Sequence, residues 1–223
     1  MFDVAKNLHE VLGNLPNNVQ LVAISKFHPK EYIEAAYAEG QRIFGESREQ
    51  ELQQKVVALP NDIEWHFIGH LQTNKVKYIA PYISMIEACD SMKLMREIEK
   101  QAAKCDRVIK VLLELHIAAE VTKYGLSLED CRQLLAAGEW RDLKHVQICG
   151  IMMMASNTDD TARIEHDFET AACFFDEIKH DYFVDDDNFS IRSYGMSQDY
   201  QLAIKHRSTM VRVGTSIFGP RVY

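Results

Sequence analysis

Eight apolar segments alternate with amphipathic segments along the chain, and this alternation constrains the fold more than any other feature of the sequence. The apolar segments predict strands, and they span residues 20–26, 41–47, 63–69, 84–90, 107–117, 146–155, 188–195 and 209–219. The segments between them have the 3.6-residue periodicity of helices that bury one face. Strands that alternate regularly with helices are typical of a parallel α/β sheet.

Eight such units in 223 residues match the number and size of a (β/α)8 TIM-type barrel, which is the fold we predict. An amphipathic segment at residues 1–15 adds an extra N-terminal helix. An open, doubly wound sheet is the alternative, because periodicity does not reveal whether a sheet closes. No linker-like or low-complexity segment interrupts the pattern, so we expect a single domain over residues 1–223.

Charge and composition exclude several classes of partner. The net charge of -8 argues against nucleic acid or an anionic membrane as the main partner. No run of about 18 apolar residues exists, so we predict no membrane span, and the first residues show no export signal. The five cysteines are scattered and odd in number, and the nine histidines form no ligand pair. We therefore expect no metal site, no disulfide framework and a cytoplasmic location.

A lysine ends the first predicted strand. Lys26 follows Leu, Val, Ala and Ile residues in the segment QLVAISK. In apolar surroundings desolvation lowers the pKa of a lysine, and the neutral amine can then form a Schiff base with a carbonyl group. The alternative is a lysine that only marks where the strand reaches solvent.

Small and hydroxyl-bearing residues follow the last two predicted strands. Met196 and Ser197 come after the seventh strand, and Gly214 and Thr215 belong to the eighth segment, VRVGTSIFG. Barrels commonly bind phosphate in the loops after these two strands, through backbone N–H groups and hydroxyls. Ser197 has the alternative role of capping the next helix.

Arg212 would be a buried charge if its face of the eighth strand points into the barrel. It alternates with Val211 and Val213, and side chains of a strand point to opposite faces in turn. A buried guanidinium needs a carboxylate or a ligand. One interpretation is an ion pair with Glu46 or Glu114. The other is contact with the ring nitrogen of a heteroaromatic ligand, which the arginine would keep unprotonated and therefore a poor electron sink.

Three further residues are candidates for binding. His66 could line a ring-binding pocket, although a lone histidine is more often a core residue. Ser47 ends the FGES turn, where it could also cap the following helix. Lys123, in TKYGL, is expected to be solvated or to contact an anion.

These motifs occur together, and in this order, in a known family. The matching segments are VAISKFHP, FGES, WHFIGHLQTNK, TKYGL, GIMMMA, YGMSQD and VRVGTSIFG. Through them the chain resembles the pyridoxal phosphate homeostasis proteins, whose barrel is similar to the N-terminal domain of alanine racemase. The resemblance implies that Lys26 holds pyridoxal 5′-phosphate as a Schiff base.

The resemblance also implies the other cofactor-binding residues. Ser197, Gly214 and Thr215 would hold the phosphate, with Met196 adjacent. Arg212 would approach the pyridine nitrogen, and His66 would lie in the pocket. Family members often have asparagine at the position of Ser47, and a serine cannot replace the N–H bonds of that amide.

The implied function is intracellular homeostasis of pyridoxal phosphate, with little or no catalysis. A racemase of this barrel type needs a second base from an additional domain, and the sequence ends at Tyr223, soon after the eighth strand. An amino-acid racemase and a Schiff-base aldolase remain alternatives, because both would also use Lys26. The expected partners are the cofactor itself and apo-enzymes that need it, and we expect a monomer.

Overall fold

The computed structural model describes residues 3–118 and 124–220, and at its centre eight parallel strands form a closed barrel. The strands are β1 (Gln20–Ile24), β2 (Ile43–Glu46), β3 (Glu64–Phe67), β4 (Ile83–Cys89), β5 (Ile109–Leu115), β6 (Val146–Met153), β7 (Ile191–Met196) and β8 (Met210–Val213). Each strand pairs with the next along the chain, and β8 pairs with β1, so the sheet has no edge. This closure confirms the predicted (β/α)8 barrel and rules out the open sheet.

Helices follow the strands and cover the outside of the barrel. They are α1 (Val4–Gly13), α2 (Lys30–Ala38), α3 (Glu49–Ala58), α4 (Val76–Ile79), α5 (Met92–Lys104), α6 (Leu128–Ala137), α7 (Thr161–Tyr182), α8 (Tyr200–Lys205) and α9 (Thr215–Phe218). Two short 3-10 turns lie at Thr73–Lys75 and Glu139–Asp142. Side chains of Asp3, Ser91 and Ser127 cap α1, α5 and α6 by accepting backbone N–H bonds, which explains where these helices begin.

Two local expectations from the sequence are wrong. The eighth segment is not a strand throughout: β8 ends at Val213, and the Gly214 carbonyl accepts the N–H groups of Ile217 and Phe218 to start α9. Ser47 does not cap α3, because the capping position is Arg48, which makes no side-chain cap bond. The short helix α9 matters for the site, because it turns backbone N–H groups toward the end of β7.

Side-chain alternation separates two apolar cores. Residues of one strand face, such as Leu21, Ala23 and Phe44, pack against the helices in the larger core. Residues of the other face fill the barrel interior: Val22, Ile24, Ile43, Met85, Ala88, Leu112, Cys149, Met152 and Met210. Within the described part of the chain, no helix has both the length and the apolar character that crossing a bilayer requires.

Candidate functional site

Lys26 lies in a tight turn at the carboxyl end of β1. The Phe27 backbone has a φ of 65°, which is unusual for a large side chain. His28 N–H closes the turn by donating to the Ser25 carbonyl at 3.1 Å, and the Lys26 side chain is partly buried. A strained backbone persists only where the surrounding structure enforces it, and such strain is concentrated at functional sites.

Two backbone N–H groups and a hydroxyl converge after β7 and β8. Ser197 Oγ accepts the N–H of Gly214 at 3.1 Å and the N–H of Ser216 at 3.5 Å. Thr215 is exposed beside them at the start of α9. Ser197 does not cap α8, whose capping position is Asp199. The three groups form what we call the amide cradle, and such groups bind phosphate oxygens.

The amide cradle lies directly beside the strand that leads to Lys26. A Cβ atom added to Gly214 would lie 3.0 Å from the Ile24 carbonyl oxygen and 3.1 Å from Ile24 Cβ. A side chain at residue 214 would therefore crowd β1, and glycine lets the two backbones approach without that crowding. The barrel thus brings the end of β1, which leads to Lys26, beside the cradle, although the two lie far apart in the sequence.

Arg212 is buried inside the barrel, and protein groups accept hydrogen bonds from both of its terminal nitrogens. Its Nη1 atom donates to the Ser193 carbonyl at 2.7 Å and to Ser193 Oγ at 2.6 Å, while Nη2 donates to the Met153 carbonyl at 2.8 Å. The carboxylate that faces it is Glu87, with 3.8 Å between Nη1 and Oε2. The predicted ion pair with Glu46 or Glu114 is therefore wrong: the ion-pair partner is Glu87.

Glu87 connects Arg212 to His66. Its Oε1 atom lies 2.8 Å from His66 Nδ1, and its Oε2 atom accepts from Ser193 Oγ at 2.7 Å. Burial opposes ionisation of Glu87, but the His66 hydrogen bond and the His66 and Arg212 charges outweigh burial and lower its pKa. His66 also borders a cavity of about 320 Å³ at the amino end of the barrel, beside Met85 and Lys110. Direct contact of His66 with a cofactor stays a prediction.

The remaining predicted residues differ in how the structure places them. Ser47 follows β2, and a Cβ on Gly69 would lie 2.7 Å from Ser47 Cβ, so the ends of β2 and β3 approach closely. Met196 is the last residue of β7, and its N–H donates to Asp199 Oδ1 at 2.6 Å. Lys123 lies outside the described residues. Ser47 and Met196 share the carboxyl end of the barrel with Lys26.

Sequence reasoning missed Glu87 and left Glu114 without a site role. Glu114 is 3% exposed, and its Oε2 atom has no hydrogen-bond partner among the described residues. Burial raises the pKa of Glu114 to about 7, and Asp90 adds to the rise while Arg212 opposes it. The signal for both residues was a single glutamate inside an apolar strand, in SMIEACD and in VLLEL. A charge in that position needs a partner or a function.

Comparison with known proteins places the chain among relatives of the same fold and length. The model of the alanine racemase N-terminal domain family matches residues 3–222. The pyridoxal phosphate homeostasis protein of Aquifex aeolicus is 36% identical over 216 residues, which are 96% of this chain and 92% of that protein. The protein of the same name from Schizosaccharomyces pombe is 36% identical over 211 residues, covering 92% of this chain and 85% of the relative.

Solved structures agree with this placement. PipY of Synechococcus elongatus PCC7942, solved with pyridoxal phosphate (PLP) bound, has a TM-score of 0.86 and 33% identity, and covers 97% of this chain and 100% of PipY. Alanine racemase of Clostridium difficile 630 has a TM-score of 0.77 at 13% identity over 98% of this chain and 56% of the racemase, which shows the fold alone. The chain therefore belongs to the alanine racemase N-terminal domain family and, within it, to the pyridoxal phosphate homeostasis proteins.

Proposed function

We propose that this protein binds pyridoxal 5′-phosphate as a Schiff base on Lys26 and contributes to intracellular homeostasis of the cofactor, with little or no catalysis of its own. The observation that carries the proposal is the position of Lys26 at the end of β1, beside the amide cradle. Its relative PipY binds pyridoxal phosphate on the same fold. The cofactor supplies an aldehyde, with which the Lys26 amine condenses with loss of one water molecule.

The residues of the amide cradle suit the phosphate group. Gly214 and Ser216 supply backbone N–H donors, which in this structure donate to Ser197 Oγ, and the neighbouring Thr215 adds a second hydroxyl. Donors of this kind bind a phosphate dianion through charge-assisted hydrogen bonds. A binding site that combines a phosphate cradle with an amine selects a phosphorylated aldehyde over a simple one.

Arg212 favours a holding function over fast chemistry. The guanidinium is fixed by three hydrogen bonds to Ser193 and Met153 and is faced by Glu87. Next to the pyridine nitrogen, this cation would oppose protonation of the ring, because two adjacent positive charges repel each other. An unprotonated ring withdraws electrons weakly, so the carbanions that racemisation requires would form slowly.

An amino-acid racemase is the second candidate, and Glu114 is the observation that favours it. This carboxyl has a pKa of about 7 and an oxygen that no described residue bonds, both of which suit a general acid or base. The homeostasis role remains the better supported, because relatives that match 96% and 92% of the chain carry that name. The proposal also includes two further expectations, transfer of the cofactor to apo-enzymes and a cytoplasmic location. All five cysteines are free thiols, which is consistent with a reducing compartment.

Titration of the purified protein with pyridoxal phosphate tests the binding proposal. We expect an absorbance band of a protein-bound Schiff base that borohydride discharges, and we expect Lys26→Ala to lack it. Lys30→Ala is the matched control, since Lys30 is an exposed lysine that pairs with Glu34 on α2. An unchanged band in Lys26→Ala, or no band in the wild type, would contradict the proposal.

Solvent deuterium exchange at the α-carbon of amino acids tests the racemase candidate. We expect exchange no faster than with free pyridoxal phosphate at the same concentration. Rapid exchange that is lost in Glu114→Gln would instead establish a racemase-type activity with Glu114 as acid or base.

A further inference from the structure

A buried group of charged side chains lies behind the turn that carries Lys26. Lys55 of α3 is 6% exposed, and Glu46 at the end of β2 is fully buried. Glu51, one helical turn before Lys55, completes the group, which we call the Lys55 cluster. None of these three residues belongs to the amide cradle or to the Arg212 contacts.

The Lys55 ammonium has three acceptors for its three N–H donors. Lys55 Nζ donates to the Ser25 carbonyl at 2.9 Å, to Glu46 Oε1 at 2.7 Å and to Glu51 Oε1 at 2.6 Å. Ser25 Oγ in turn donates to Glu46 Oε1 at 2.6 Å. The residue immediately before Lys26 is therefore bound to the cluster through both its backbone and its side chain.

The residue immediately after Lys26 is bound to the same cluster. Phe27 N–H donates to Glu51 Oε1 at 2.7 Å. This bond holds the Phe27 backbone in its left-handed conformation, which a phenylalanine does not favour. Both neighbours of Lys26 are thus attached to α3, and the turn has little freedom to rotate.

Net stability alone does not account for such a cluster. Removing three charges from water costs free energy, and well-packed apolar residues of similar volume often stabilise a fold as well or better. Glu46 illustrates the cost: burial raises its pKa to about 7 against the opposing effect of Lys55, and its Oε2 atom has no hydrogen-bond partner in the described part of the chain. What the cluster provides beyond an apolar core is fixed geometry around Lys26.

We propose that Lys55, with Glu46 and Glu51, is a positioning residue that fixes the turn of Lys26 and so directs its amine toward the aldehyde of the bound cofactor. This role rests on the proposed function of Lys26. Orientation of a reacting group contributes strongly to the equilibrium and rate of an intramolecular reaction. Loss of the cluster should therefore weaken Schiff-base formation while leaving the amide cradle intact.

Two phosphorylated ligands separate positioning from general damage. Pyridoxal 5′-phosphate has the aldehyde, whereas pyridoxine 5′-phosphate has an alcohol in its place and binds without a Schiff base. The dissociation constant of pyridoxine 5′-phosphate divided by that of pyridoxal 5′-phosphate therefore measures the contribution of Lys26. We expect Lys55→Met to reduce this ratio by roughly tenfold or more, with pyridoxine 5′-phosphate binding changed by less than about twofold.

Further variants distinguish a loss of positioning from a general loss of folding. Lys55→Arg keeps the charge, so its ratio of dissociation constants is expected to be higher than that of Lys55→Met and lower than that of the wild type. Glu51→Gln keeps an acceptor for Phe27 N–H. Its ratio of dissociation constants is therefore expected to lie between that of Lys55→Met and that of the wild type. Lys100→Met is the control, because Lys100 is exposed and pairs with Glu97 on the surface of α5, and its ratio should equal that of the wild type.

The outcomes distinguish the two levels of the proposal. If Lys55→Met has the same ratio as the wild type, or if it binds both ligands more weakly by the same factor, the positioning role is overturned and the proposed function still stands. A wild type that binds both ligands equally overturns the proposed function itself, and the positioning role with it.

Discussion

At the scale of single residues, the barrel interior is distinguished by charges held at fixed positions. Glu87 has partners for both carboxylate oxygens, and Arg212 for both terminal nitrogens. Glu114 differs, because its Oε2 atom has none within residues 3–118 and 124–220. A buried carboxyl that lacks a partner is stable chiefly in its protonated form. Ionisation of Glu114 should therefore change the free energy of unfolding as the pH is raised.

Replacing Glu114 by glutamine should stabilise the protein at high pH. The folded state retains the Glu114 proton up to about pH 7, whereas the unfolded chain releases it near the ordinary pKa of 4.5. Stability is therefore lost as the pH rises between these values, and Glu114→Gln removes this loss. The expected gain in the free energy of unfolding is close to zero near about pH 4 and on the order of 1 to 3 kcal/mol near about pH 8.

Urea denaturation of the apo-protein over this pH range measures the effect. Glu64→Gln, at an exposed glutamate that begins β3, is the matched control for loss of one charge. Its stability should differ from the wild type by less than about 0.5 kcal/mol throughout. A constant difference between Glu114→Gln and the wild type at all pH values would refute the raised pKa.

At the scale of elements, the sequence was sufficient for the strands and helices but not for their ends. Period-two alternation and apolar runs locate all eight strands, because these patterns reflect burial directly. The helix α9 was missed, because four residues are too few to show a helical period and Ile217 and Phe218 continue the apolar pattern of β8. Glu87 was missed as the partner of Arg212, because the pairing depends on barrel closure across strands far apart in sequence.

Gly195 is the position where the end of a strand depends most clearly on having no side chain. Its φ is 87°, and an added Cβ would lie 2.7 Å from both Ala203 Cβ and Tyr200 Cα on α8. Gly195→Ala should therefore lower the free energy of unfolding by about 2 kcal/mol or more, through backbone strain and overpacking. Because Gly195 precedes Met196 and Ser197, binding of pyridoxine 5′-phosphate should weaken as well.

Gly13→Ala is the control for this substitution. Gly13 is the last residue of α1, and no atom of the residues that the structure describes lies within 4 Å of an added Cβ. Alanine there should be neutral or stabilising by up to about 1 kcal/mol, because it favours the helix more than glycine does. Equal stability of the two variants in urea denaturation would show that the contacts at Gly195 impose no constraint.

At the scale of the whole molecule, closure of the barrel creates the site. Because β8 pairs with β1, Gly214 meets Ile24, and the cradle comes to lie beside the turn of Lys26. The sequence predicts the carboxyl ends of the strands as the location of the candidate site, since parallel barrels place functional residues there. The cluster behind Lys26 was not predictable, because the sequence does not show which face of α3 meets that turn.

The most direct test of the central claim is to identify the residue that pyridoxal phosphate modifies. The protein is loaded with the cofactor, reduced with borohydride, digested and mapped by mass spectrometry. We predict that the mass of the reduced cofactor is found on the peptide that contains Lys26, at close to one group per chain, and that Lys26→Ala carries none at any single position. Modification of another lysine, or a scatter of substoichiometric modification over exposed lysines, would contradict the claim that Lys26 holds the cofactor.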